Sequence, residues 1–124
     1  MKLYQLLLVA SGGAIGAMLR FAITNIFKVY FNHSLLGTLI VNILGSFLIG
    51  YLISIGMAKN MTENFIKYFL IIGLLGSFTT FSSFSYEVID LIISKKIILS
   101  ILYITSSVFF CIVSAYIGIY TTKL

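Results

Sequence analysis

Four uncharged stretches, residues 3–19, 29–58, 68–86 and 97–122, are separated and flanked by short segments that hold every Lys, Arg, Asp and Glu of the chain. A helix needs roughly 20 mainly apolar residues to cross a bilayer. The pattern therefore predicts an all-α membrane protein, one four-span unit over residues 1–124, with helices at 3–26, 34–57, 66–91 and 97–120. Little chain is left outside the lipid. Met1-Lys2, Leu3–Ala10 and then Ser-Gly-Gly have the outline of a secretory leader, but the apolar run continues to about Phe27. That is longer than a leader core, so it is read as the first span.

The polar residues inside these runs are few and grouped. In the third run, residues 76–85 read Gly-Ser-Phe-Thr-Thr-Phe-Ser-Ser-Phe-Ser, with six hydroxyls in ten positions and phenylalanines at 78, 81 and 84. Hydrocarbon cannot satisfy hydroxyls, so such a cluster is tolerated only inside protein or along a wet path. Uncharged as it is, the segment looks like a route for a small polar solute or ion. Its hydroxyls can also bond carbonyls one turn back and bend the helix, and Gly76 adds backbone freedom. A mid-membrane break in the third helix is expected, with carbonyls freed to ligate a hard cation.

The other spans add to this picture. In the second, Thr38, Asn42 and Ser46 recur every four residues on one face, beside Gly45. Asn42 serves either to hydrogen-bond a neighbouring helix or to offer donors to a pore. In the fourth, Ser100, Tyr103, Ser107 and Ser114 share a face and form either a second polar wall or serines bonded to their own helix. In the first, Gly12 with Gly16 and Gly13 with Ala17 are small pairs suited to close helix packing. Arg20 either draws an anion into a vestibule or marks the helix end. Glu87 and Asp90 are expected as exposed interfacial acids near Lys95 and Lys96. His33 has no partner in spacing.

Composition narrows the function classes. Charged residues make up 9% of the chain, against about 25% in soluble domains, and the mean hydropathy is +1.15. The net charge of +5 comes from lysines scattered along the connections, which fits anchoring at the lipid surface and not nucleic-acid binding. The single Cys111 has no intrachain partner and is expected to pack as a small apolar side chain. No metal-ligand cluster, triad or phosphate loop is present, which argues against an enzyme. With four spans, Lys2, Lys59, Lys67 and Lys123 fall on one side and Lys28, Lys95, Lys96 and Arg20 on the other. Orientation follows the Lys/Arg bias. Here it is near zero, so insertion both ways up and pairing as an antiparallel homodimer are expected.

Three segments in order, Gly-Gly-x-x-Gly-Ala-x-x-Arg at 12–20, Gly-Thr-Leu-x-Val-Asn-x-x-Gly-Ser-Phe at 37–47 and Gly-x-x-Thr-Thr-Phe-Ser-x-Phe-Ser at 76–85, resemble the Fluc (CrcB-type) fluoride channel family. The resemblance covers effectively the whole chain, with the fourth helix contributing little. It implies passive fluoride export that relieves toxicity, through two pores at the interface of an antiparallel homodimer in the cell membrane. Phe81, Phe84 and Asn42 would line the pore, with the hydroxyls of Thr80 and Ser83 beside them. Tyr103 and Ser107 would form a polar track, and Arg20 would sit at a vestibule. A structural Na⁺ at the dimer centre would be held by the backbone carbonyls of Gly76 and Thr79. Position 83 is Ser where the family often has Thr, which keeps the hydroxyl. Two other readings compete: a small dual-topology proton-coupled multidrug or cation antiporter, which needs a membrane-embedded carboxylate, and a non-transporting packing subunit, which leaves the hydroxyls of 76–85 unexplained.

Overall fold

The structure, a computed structural model, describes residues 2–58 and 64–121. Lys59 and Lys123, counted in the charge comparison, lie outside the described residues. Among the described residues, four stretches are long and apolar enough to cross a membrane, Leu3–Phe31, Leu35–Gly56, Phe65–Ile93 and Ile97–Tyr120. Their helices are α1 (Leu3–Phe31), α2 (Leu35–Ala58), a wide π-helical segment (Phe65–Leu75), the single turn α3 (Gly76–Phe78), α4 (Phe81–Ile93) and α5 (Ile97–Tyr120). No strand occurs among the described residues.

Local signals explain the ends. The Lys2 backbone N–H donates to the Gln5 side chain at 3.0 Å and closes the start of α1. At the other end α1 runs past the expected residue 26 to Phe31, and Asn32 stops it in the left-handed conformation (φ 59°). Lys28 lies in the last turn, where a cation complements the helix dipole, so the helix continues through it.

Packing within the chain depends on missing side chains. α1 lies against the π segment and α2 against α5. A Cβ at Gly16 would come within 2.1 Å of the Leu74 carbonyl oxygen, so the small pair read in helix 1 lets two backbones touch. α2 and α5 meet reciprocally: a Cβ at Gly50 would lie 2.2 Å from the Ala115 carbonyl oxygen, and one at Gly118 2.2 Å from that of Phe47. In lipid, where apolar burial between helices gives little, such close approach is a main source of cohesion. Gly118→Ala is expected to force α2 and α5 apart and cost about 1–3 kcal/mol, as overpacking does. Gly56→Ala, with nothing within 4 Å, is expected to change stability in the opposite direction by at most about 1 kcal/mol. Melting temperatures in detergent compare the two; equal shifts would remove the packing argument.

Candidate functional site

The site forms where the third span leaves the helical conformation. Thr79 (φ −76°, ψ 153°) and Thr80 (φ −148°, ψ 116°) are extended and separate α3 from α4. Asn42 on α2 binds this interruption with both ends of its amide. Its Oδ1 accepts from the Thr80 N–H at 2.7 Å, and its Nδ2 donates to the Thr80 carbonyl at 3.0 Å. A side-chain amide thus satisfies the backbone pair that a helix would otherwise satisfy. Nδ2 carries a second hydrogen, free to serve another acceptor. Gly45 makes the approach possible, because a Cβ there would meet the Thr79 methyl at 2.2 Å.

The hydroxyls divide between two tasks. Those of Thr79 and Ser85 bond carbonyls one turn back, Leu75 at 3.0 Å and Phe81 at 2.9 Å. Thr80 instead starts α4: its Oγ1 accepts from the Ser83 N–H at 3.1 Å and donates to Ser83 Oγ at 3.0 Å. Beside this knot lies a cavity of about 260 Å³ lined by Asn42, Ser46, Ile49, Thr79, Thr80, Phe81, Phe84, Ser107, Val108 and Cys111. Ser107 is 5% exposed, and its hydroxyl is the one buried side-chain polar atom without a hydrogen-bond partner among the described residues. Buried polar groups are nearly always paired, so an unpaired one at a cavity wall marks a place where something polar is received.

An aromatic file leads away from the cavity. Phe81 is 77% exposed and Phe84 8%. Their rings are 5.6 Å apart, and Phe84 is 5.3 Å from Tyr103. The Tyr103 hydroxyl donates to Glu87 Oε2 at 2.6 Å. Here the sequence reading is corrected: Glu87 is not an exposed interfacial acid but is buried, at 7% exposure, and its Oε1 also accepts from the hydroxyls of Thr38 (2.8 Å) and Ser34. Three hydroxyls replace the water it loses, which is what makes burying a carboxylate tolerable. Asp90, one turn on, is exposed as expected. The regular spacing of Thr38 with Asn42 and of Tyr103 with Ser107 was visible in the sequence. What was missed is that both faces meet the acid, which only helix packing decides. Ser46 and Cys111 were likewise missed as lining residues, although each continues a polar face by one turn.

Arg20 lies well inside α1 and does not mark its end, which overturns that alternative. It is half-buried, and its Nε donates to the Ser77 carbonyl at 3.0 Å, near the C-terminal end of the helical run 65–78. Gly76 and Thr79 are the remaining expected positions. In a continuous helix their carbonyls would accept from the N–H groups of Thr80 and Ser83. Those N–H groups are bound instead by Asn42 Oδ1 and Thr80 Oγ1. Both carbonyls therefore lose their helical partners, and they stand at the negative end of a helix dipole. Oxygen donors of this kind suit a hard cation. Among the described residues there is no cluster of His, Cys, Asp and Glu for a transition metal.

Comparison with known proteins adds a family. The family model described as CrcB-like protein, Camphor Resistance (CrcB), matches residues 7–119. The chain is 40% identical to the "Fluoride-specific ion channel FluC" of Campylobacter hominis over 123 residues, 98% of this chain and 97% of that protein. It is 44% identical over 117 residues to the protein of the same name from Campylobacter jejuni, covering 94% of this chain and 95% of the relative. With that of Magnetococcus marinus it shares 39% over 121 residues, 97% of this chain and 98% of the relative.

Proposed function

Because the chain belongs to the CrcB-like family, we propose that it is a fluoride-specific ion channel of the cell membrane. The observation that carries this reading is the cavity beside Thr79 and Thr80, where Asn42, Thr80, Phe81, Phe84 and the unpartnered Ser107 converge without a charge. Fluoride is small and tightly hydrated, and it enters only where donors replace its water. A ring of Arg or Lys would hold it too long, whereas conduction needs binding weak enough for release. The free Asn42 hydrogen and the hydroxyl of Ser107 are neutral donors of that strength. Phenyl rings are positive at the edge, so Phe81 and Phe84, edge-on, add weak attraction and hold the passage narrow. Tyr103 and Ser83, outside the cavity wall, would carry the polar track beyond it, and Arg20 would raise the potential at the entrance.

The finer arrangement is an antiparallel homodimer with two pores at its interface. What supports it is Phe81, which one chain leaves bare, and a cavity that opens at the chain surface. The near-equal split of lysines between the two ends allows both orientations. Na⁺ would be held at the dimer centre by the Gly76 and Thr79 carbonyls, beside the extended residues of the third span, and its charge would raise the potential felt by the anion. The channel then acts as a passive exporter. Neutral hydrofluoric acid enters by crossing lipid and dissociates in the cytoplasm, and the trapped anion leaves down its gradient.

Efflux from proteoliposomes loaded with fluoride or chloride tests the reading. Rapid fluoride loss with chloride retained is the expected result; chloride loss, or no fluoride loss, would defeat it. In the same assay Phe81→Ile is expected to slow fluoride at least about ten-fold, since an alkyl group has no positive rim. An unchanged rate would remove the ring from the pathway. Buried Glu87 is the feature that favours a proton-coupled cation antiporter. A difference in growth on toxic cationic dyes, with and without the protein, would support that second reading.

A further inference from the structure

Cys111 is the one cysteine of the chain, and its half-buried thiol lines the cavity that Asn42, Phe81 and Phe84 share. Ser107 precedes it by one helical turn, so the two side chains stand on one face of α5. The Ser107 hydroxyl is buried, lines the same cavity and has no partner. The wall therefore presents a soft sulfur and, one turn away, an oxygen with its donor and acceptor capacity unspent. The cavity holds about 260 Å³, against about 30 Å³ for one water in the liquid. There is room for a metal ion with its remaining ligand beside the sulfur.

Resting on the reading of this cavity as the anion's route, we propose that Cys111, with Ser107, is a binding site for soft thiophilic metal ions, and that a metal bound there closes the route. Sulfur ligands select soft ions over hard ones, so Na⁺ and Mg²⁺ pass it by. Mercury(II) chloride is neutral and meets no charge barrier in an apolar, uncharged passage. On binding, the S–H bond of Cys111 breaks and an S–Hg bond forms. One chloride leaves the metal, the proton goes to water, and no oxidation state changes. Ser107 Oγ donates its hydrogen to the chloride that stays on the metal. The adduct then fills the space opposite Asn42 that a fluoride ion would cross.

The experiment treats proteoliposomes of the full chain with mercury(II) chloride and reads both fluoride efflux and intact protein mass. Wild type is expected to gain one mercury per chain and to lose efflux by at least about ten-fold, the effect of obstructing a single-file path. Excess dithiothreitol restores both. Cys111→Ser is expected to gain no mercury and to keep its own untreated rate, and Ser107→Ala to bind mercury but release it at a lower dithiothreitol concentration. Equal block in Cys111→Ser, full labelling of wild type with efflux unchanged, or no labelling overturns the proposal. If untreated protein passes no fluoride, the channel reading is what fails. The mass shift and its loss in Cys111→Ser still decide whether the metal binds at this wall.

Discussion

Asn42→Asp is expected to reduce fluoride efflux at least about 100-fold while the protein still inserts and purifies. The two residues have the same shape, so the difference is electrical. The amide divides its roles, accepting from the Thr80 N–H at 2.7 Å and donating to the Thr80 carbonyl at 3.0 Å. A carboxylate can keep the first bond but turns a second acceptor toward the carbonyl, and a buried acceptor left without a donor costs about 1–3 kcal/mol. The substitution also puts a negative charge on the cavity wall. An anion about 4 Å away is repelled by roughly 4 kcal/mol at the effective dielectric of partly buried sites, and each 1.4 kcal/mol or so is a factor of ten in occupancy. Proteoliposome efflux, normalised to inserted protein, measures the result. A rate close to wild type would show that the anion does not pass Asn42.

Glu87→Ala is expected to cause the largest loss of stability among single changes in this chain. The carboxylate joins three elements through hydroxyl donors: Ser34 just before α2, Thr38 on α2 and Tyr103 on α5. Alanine leaves three polar groups without their acceptor, two of them on buried residues, and opens a void beside Thr38 and Tyr103. Each orphaned buried group costs about 1–3 kcal/mol, and void formation adds to it. The sum is expected near 4–5 kcal/mol, a large part of the 5–15 kcal/mol by which proteins are commonly stable. Glu87→Gln keeps the volume and one acceptor oxygen, and hydroxyl hydrogens rotate to suit. It should cost about a third as much. Thermal unfolding in a fixed detergent ranks wild type, Gln and Ala in that order. An Ala variant as stable as wild type would mean that the cluster holds nothing together.

These two residues also separate what the sequence reveals from what it conceals. Asn42 was recognisable because a strongly polar side chain inside an apolar run is costly and must be answered by something. Its partner was not, since the Thr80 backbone becomes available only where the third span leaves the helix. Glu87 was misplaced because it sits near Lys95 and Lys96 in the chain, and nearness along a chain suggests a surface ion pair. In space it turns inward, toward hydroxyls contributed by residues 34, 38 and 103. Arg20 was open between two readings for the same reason: the Ser77 carbonyl that engages it is 57 residues away.

The sequence alone determined that this chain crosses the membrane four times and where its polar residues concentrate, because hydropathy and helical period act locally and lipid penalises every exception. It also carried enough of the Asn42 and Thr80 segments to be matched to a family. The tertiary structure decided which hydroxyls are consumed by their own backbone, which are shared with Glu87, and that Ser107 is left over beside a cavity. Those outcomes depend on distances between helices, and these are set by glycines such as Gly45 and Gly118 that permit contact without displaying any chemistry of their own.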